Sequence, residues 1–244
     1  MSSIRRLASQ GALAGAILML MACGSRASES DAGPPQNLDA LRDFTGITLA
    51  GPDRVVVTRG PQFSVRAEGD ARALARLEID VKDGELRVKR KHNWRDIMPG
   101  SDRGATVSVT LPALRDVALA GSGDMSVDLL GGDDVEASVT GSGDLTIARV
   151  EAHEVELSTT GSGTLTAGGR ADKAEYSVTG SGDIKAASLV AATGEFSIVG
   201  SGDVAAHVTG SAEVSILGSG DAVIGGTTRC SVSRMGSGTA RCSA

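Results

Sequence analysis

Aromatic residues are nearly absent from this chain: one Trp, one Tyr and three Phe stand among 244 residues. The formal net charge is −6. An acidic chain with so few stacking groups lacks the basic surface and aromatic platforms of a nucleic-acid binder, so no nucleic-acid partner is expected. Histidine is equally scarce. His92, His153 and His207 fall at different phases of the repeat described below, so they do not line up as a triad or a zinc site. The apolar run at 11–21 is too short to cross a membrane comfortably as a helix. Cysteine occurs three times, at Cys23, Cys230 and Cys242.

The first 22 residues read as a processing segment, with Arg5 and Arg6 ahead of the apolar run and Leu20-Met21-Ala22-Cys23-Gly24 after it. That closing order resembles the lipobox of bacterial lipoproteins. The resemblance implies acylation of the Cys23 thiol, cleavage before it, and a lipid anchor at a new N-terminus. Gly24 after the cysteine, by the same resemblance, favours the outer membrane, facing either the periplasm or the exterior. An ordinary signal peptide with Cys23 incidental is the alternative. Three acyl chains at about 0.8 kcal/mol per buried methylene make release negligible. Residues 23–38 are rich in Ser, Ala, Gly and Pro without an apolar period and read as a flexible tether. Cleavage after residue 22 removes two arginines and no acid, moving the net charge from −6 to −8. Residues 39–244 contain no second linker and read as one elongated domain. Cys230 and Cys242 are then an even pair in an exported chain, the pattern of a disulfide pinning the last unit; two buried thiols are the alternative.

Glycine is abundant, 33 residues in all, and much of it is periodic. Gly-Ser-Gly occurs seven times, opening at Gly121, Gly141, Gly161, Gly180, Gly200, Gly218 and Gly236, with gaps of 20, 20, 19, 20, 18 and 18 residues. A period near twenty marks a solenoid, whose units bury their apolar faces only by stacking. Counting from the first glycine as zero, position −4 runs Val117, Ala137, Leu157, Tyr176, Phe196, Val214, Val232. Positions −2, +4 and +6 are also largely apolar, while Ser138, Ser158, Ser177, Ser197, Ser215 and Ser233 occupy −3. Such alternation is that of strands with one buried face. Its parity places both triplet glycines inward, at a corner or a close backbone approach. Tyr176 and Phe196, equivalent in adjacent units, are expected to stack inside. The fold expected is all-β: a single-stranded parallel β-helix of about 18–20 residues per coil.

Before the repeats, strands are expected around Phe44–Leu49, Val55–Val57, Phe63–Val65 and Val107–Leu111, with a short helix around Asp70–Leu77. Ile79 and Val81 lead into Asp83-Gly84, a two-residue hairpin signal, and Leu86 and Val88 lead out. Residues 92–104 read as an exposed loop. This order of strands, helix, Asp-Gly hairpin, Leu111-Pro112-Ala113-Leu114 and tandem Gly-Ser-Gly-Asp units resembles the GIN-domain family over Leu41–Ala244. The resemblance implies a β-helix, similar to pectin-lyase-like solenoids, serving as the head of an adhesin. It implies no catalytic residues.

Position +3 carries Asp124, Asp144, Asp183, Asp203 and Asp221, interrupted by Thr164 and Thr239. Stacked coils bring neighbouring carboxylates within about 5 Å, where repulsion in water is only about 1 kcal/mol per pair. Asp after Gly commonly bonds its own turn, so the row reads as turn-stabilising, with a calcium ladder as the alternative. No cofactor is expected. Arg87, Lys89, Arg90, Lys91 and Arg95 crowd around His92 and Trp94. They read as edge-guarding cations, or as a contact for lipid phosphate or acidic glycan, which Arg forks grip.

The function expected is therefore a non-enzymatic, lipid-anchored envelope β-helix acting in adhesion or envelope organisation, with a glycan or another envelope component as partner. The alternative is a polysaccharide lyase or hydrolase, whose mark is two carboxylates and a basic residue converging on one point. The sequence assigns no oligomeric state.

Overall fold

A computed structural model describes residues 37–91 and 104–244. The processing segment, Cys23, His92, Trp94 and Arg95 lie outside the described residues. After a 3-10 turn at Leu38–Ala40 come β1 (Gly46–Gly51), β2 (Arg54–Arg59), β3 (Ser64–Glu68) and α1 (Ala71–Arg76). They are followed by β4 (Leu77–Lys82), β5 (Glu85–Arg90), β6 (Thr106–Leu111) and β7 (Asp116–Gly121). Long bent strands continue the chain: β8 (Asp124–Gly141), β9 (Asp144–Gly161), β10 (Thr164–Gly180), β11 (Asp183–Gly200) and β12 (Val204–Gly218). Three short strands close it: β13 (Ala222–Gly225), β14 (Cys230–Gly236) and β15 (Ala240–Ser243).

Gly33–Ala244 is one compact unit with a single apolar core running from Phe44 to Ile224. It is a parallel β-solenoid of about six turns. Each long strand serves two walls. Its last residues stack on the first wall, as Glu156–Gly161 do on Glu136–Gly141, and its first residues stack on the second, as Asp144–Ile147 do on Asp124–Val127. The seven triplets align in one column from Gly121 to Gly236. The uneven gaps are absorbed on the side away from that column, where register shifts at Ala167/Gly169 and Ala186/Val190. Both walls therefore stay in register. Inward side chains follow the expected alternation, and Tyr176 stacks on Phe196 with ring centroids 4.6 Å apart.

At the corner, only the second glycine of each triplet is buried; the first is partly or fully exposed. The expectation that both face inward is corrected by the backbone: Gly141 has φ 120° and leaves the strand alternation there. That turn aims the Gly121 carbonyl at two amides of the next coil, Ser142 at 2.8 Å and Gly143 at 3.1 Å. A Cβ on Gly141 would lie 2.4 Å from the Gly121 oxygen, and one on Gly143 2.2 Å from the Gly123 oxygen. Close stacking at the corner thus excludes any side chain at either position.

The two ends differ. On the first wall β5 extends the stack in parallel beyond β1, and β4 then pairs antiparallel to β5. On the second wall β6 lies parallel to β2, and β3 pairs antiparallel to β6. Helix α1 joins β3 to β4 with Ala73 fully buried, and the Asp70 carboxylate caps it by accepting from the Ala73 amide at 2.8 Å. Asp83 and Gly84 both take positive φ, 55° and 80°, as a two-residue hairpin turn requires. At the opposite end, among the described residues, β14 pairs only with β12 and β15 only with β13. Cys230 and Cys242 are joined there, with Cα atoms 6.6 Å apart.

Candidate binding surface

The outward face of the first wall is a register of polar rows. At position −5, Asp116, Glu136, Glu156, Glu175, Glu195 and Glu213 stand on successive parallel strands. Parallel neighbours lie about 4.8 Å apart, so six carboxylates form a line of roughly 24 Å. Gly46 occupies the next place toward the N-terminus, and Glu85 the one beyond it. The serine row at −3 runs alongside. Row −1 begins with Ala120, Thr140, Thr160 and Thr179 and turns apolar at Val199, Leu217 and Met235. Two shallow hollows follow the acidic line: about 210 Å³ between Asp116 and Glu175, and about 370 Å³ between Glu156 and Glu213.

Charge along the line is compensated unevenly. Lys173, on the neighbouring row, donates from Nζ to Glu154 at 3.0 Å and to Glu175, and lies 3.5 Å from Glu195. Hydrogen bonds to Glu175 and Glu154 hold its pKa well above the usual lysine value. Nearer the N-terminus the compensation is weaker. Burial raises the carboxyl of Glu136, and the charges of Glu156 and Asp116 raise it further. Burial likewise raises Asp116; Arg115 opposes that shift and Glu85 adds to it. A rigid array of like charges at strand spacing favours a partner carrying several cationic or hydrogen-bonding groups, each contact gaining from the last.

The Asp row at +3 sits on the corner and engages in backbone bonding. The Asp203 amide donates to the Asp183 carboxylate at 3.2 Å, and the Asp221 amide to that of Asp203 at 2.8 Å. Thr239, one of the two interruptions, donates from both amide and hydroxyl to Asp221 at 2.8 Å. Those bonds hold Asp221 below the usual carboxylate range, the hydroxyl contributing most. Asp124 pairs with Arg54 at 2.8 Å. Among the described residues no group of three or more His, Cys, Asp or Glu is placed to hold a metal ion.

The basic cluster is divided between the two faces of β5. Arg87 bonds Asp80 at 2.7 Å from Nε, and Lys89 lies 3.3 Å from Asp80 and 3.5 Å from Glu78. Burial alone would raise Asp80, but the bonds from Arg87 and Lys89 outweigh it and hold the carboxyl low. Arg90 turns inward and grips the buried Asp53 with two bonds of 2.7 and 2.8 Å. Arg87 and Lys89 thus meet at Asp80 while Arg90 turns away to Asp53, and Lys91 donates its amide to the Arg76 carbonyl. His153 stands apart, bonded to Asp172 at 2.7 Å, and that bond raises its pKa.

Two features escape the apolar pattern. The carboxylate line is legible once every repeat is aligned on its first glycine, because −5 is acidic six times running; alternation alone reports only that the position is polar. The other is the first rung. Gly51-Pro52-Asp53-Arg54 takes the place of Gly-Ser-Gly-Asp, with Gly51 beside Gly121 and Arg54 beside Asp124. Asp53 stands where a glycine is otherwise required, and its carboxylate accepts from Arg90 and from the Ala105 amide at 2.8 Å.

Comparisons with known proteins agree with this architecture. Residues 43–228 match the family described as "Putative auto-transporter adhesin, head GIN domain". No curated protein matches the chain. Among solved structures, a putative adhesin from Bacteroides fragilis superposes with TM-score 0.74 at 22% identity, covering 84% of this chain and 94% of its own. A putative adhesin from Parabacteroides distasonis gives 0.60 at 20% identity, covering 84% and 94%. A putative lipid binding protein from the same organism gives 0.63 at 21%, covering 83% and 93%. At these identities the likeness is one of fold.

Proposed function

The chain belongs to the head GIN-domain family, and from that footing we propose that it is a non-enzymatic adhesion protein of the cell envelope. In this reading acylated Cys23 anchors it to the outer membrane and residues 23–38 tether the solenoid. The first wall is the binding face. The observation that carries the reading is the in-register line from Asp116 to Glu213, flanked by its serine row. A partner of repeating chemistry, such as an amine-bearing glycan or an envelope polymer, meets the same groups at every coil. The test is binding of the Gly33–Ala244 unit to a glycan array and to whole cells, beside a Glu156→Gln, Glu175→Gln, Glu195→Gln triple variant. Retention of full binding by the triple variant would sink the assignment of this face.

One observation favours the polysaccharide-active alternative: Glu154, Glu175 and Lys173 converge. The ammonium is already committed to ion pairs, however, and its pKa is raised, whereas a general base requires a lowered one. Turnover of any acidic polysaccharide that disappears in Lys173→Ala would reverse the order of the two readings.

A further inference from the structure

The C-terminal coils have a surface unlike the rest. Val199, Leu217 and Met235 stack in register on the first wall with 42%, 51% and 72% of their surfaces exposed. Around the corner, Val223 is 51% exposed on the second wall. Threonines hold the equivalent first-wall places in three earlier coils, at 140, 160 and 179. These four apolar residues are side-wall groups, outside the core and outside the acidic line. The charge also changes sign. Residues 222–244 contain Arg229, Arg234 and Arg241 and no Asp or Glu, in a chain of net charge −6. Arg229 and Arg234 donate to the carbonyls of Gly210 and Gly238, and neither is in an ion pair among the described residues. Asp203 and Asp221 on the corner accept backbone amides of the next coil and keep their charge, and that of Asp221 is opposed by Arg241.

We infer that this C-terminal tip is a docking surface for a lipid membrane bearing anionic headgroups. Exposed Val, Leu and Met beside Arg is the composition of a group that rests in the bilayer interface: the apolar side chains enter the headgroup boundary while arginine forks hold phosphates. Charge complementarity selects this occupant. Two tips of separate copies meeting symmetrically would face three arginines with three, whereas an anionic bilayer supplies opposite charge and apolar depth together. The proposal does not depend on the acidic line, which carries the opposite charge on the same wall.

The test is co-sedimentation of the Gly33–Ala244 unit, which carries its own core and lacks Cys23, with vesicles. One set is pure phosphatidylcholine; the other contains phosphatidylglycerol at about one lipid in three. The expected result is preferential recovery with the anionic vesicles, weakened about fivefold for each arginine lost in Arg234→Ala and Arg241→Ala. It is also weakened in Leu217→Ser with Met235→Ser, exposed positions whose change leaves the thermal melt in place. Equal recovery with both vesicle sets overturns the inference, as does unchanged binding in both variants. So does a concentration-dependent rise in molar mass without lipid that Leu217→Ser abolishes, since the tip would then join copies of the chain.

Discussion

At the N-terminal end of the solenoid the chain reverses direction on both walls: β3 and β4 lie antiparallel to the strands beneath them, and α1 joins one to the other. At the C-terminal end β14 and β15 keep the parallel direction, and a disulfide joins residues at inward positions of the last coil. A parallel stack has no internal reason to end, because every coil presents the same edge to the next. The first device changes the edge itself. The second leaves the edge and secures the coil that carries it. One consequence is that the N-terminal closure depends on buried non-covalent groups, while the C-terminal one rests on a single bond with exposed strands around it, β14 being exposed at six of its seven residues.

The sharpest way to break this comparison is at Asp53. Its side chain is fully buried, and it ties Arg90 of β5 to the corner and to the start of β6. Asp53→Ala removes both carboxylate bonds from a guanidinium with only 17% of its side chain exposed, and removing one partner of a buried pair costs about 3–5 kcal/mol. Urea unfolding of the Gly33–Ala244 unit should show that loss. A change under about 1 kcal/mol would mean the closure rests on strand reversal alone.

At the other end, Cys230→Ser with Cys242→Ser removes a cross-link spanning 12 residues, for which chain entropy gives about 3 kcal/mol. The loss should be local. Amide exchange is expected to quicken through β12 to β15 while β1 and β5 keep their protection, because coils of a solenoid contact only neighbours. Uniform loss across the unit would contradict the view that the ends are closed independently.

The sequence makes the repeats legible and the closures much less so, for a physical reason. Alternation and the glycine triplet report burial and backbone clearance within each coil, which recur. Strand direction at an end depends on which wall a strand joins, and nothing local in Ser64–Glu68 distinguishes parallel from antiparallel pairing. The Asp83-Gly84 turn shows that β4 and β5 reverse, and the composition after Asp70 signals the helix, but neither shows that these elements cover an end. Asp53 is harder still, since its place in the glycine column emerges only when Gly51 is seen beside Gly121. On the first wall the serine row is plain in the pattern. The carboxylate line needs the whole array stacked before its spacing has meaning.

A smaller effect sharpens the comparison at the corner column. In the C-terminal coils Asp203 and Asp221 accept amides of the following coil, whereas Asp124 bonds a side chain, Arg54. Asp221 has a lowered carboxyl pKa because Thr239 bonds its charged form. The stabilisation is present above the unfolded-state pKa and is lost as pH falls through the lower folded one. Asp221→Asn should therefore lower the Tm slightly at neutral pH, with the difference from wild type vanishing in acid. An equal deficit at every pH would assign the loss to geometry rather than charge.

The smallest expected effect has the opposite sign and separates the two stretches of the acidic line. Glu175 shares Lys173, while Glu136 has Asp116 and Glu156 as charged neighbours. Burial and those charges raise the Glu136 pKa, so between its unfolded and folded values the native state binds more protons than the unfolded chain. Stability contributed by this residue then falls as pH rises through that window, and the penalty is complete above it. Glu136→Gln removes the penalised charge and should raise stability at neutral pH by roughly 0.5 kcal/mol or less, given solvent screening. The gain should fade as pH falls toward the unfolded carboxylate pKa, where wild type is neutral too. Glu175→Gln should instead lower stability at neutral pH by loosening Lys173. Paired urea titrations at neutral and acidic pH check both signs. If both variants gain, Lys173 does not compensate the line, and the first wall is uniformly repulsive from one end to the other.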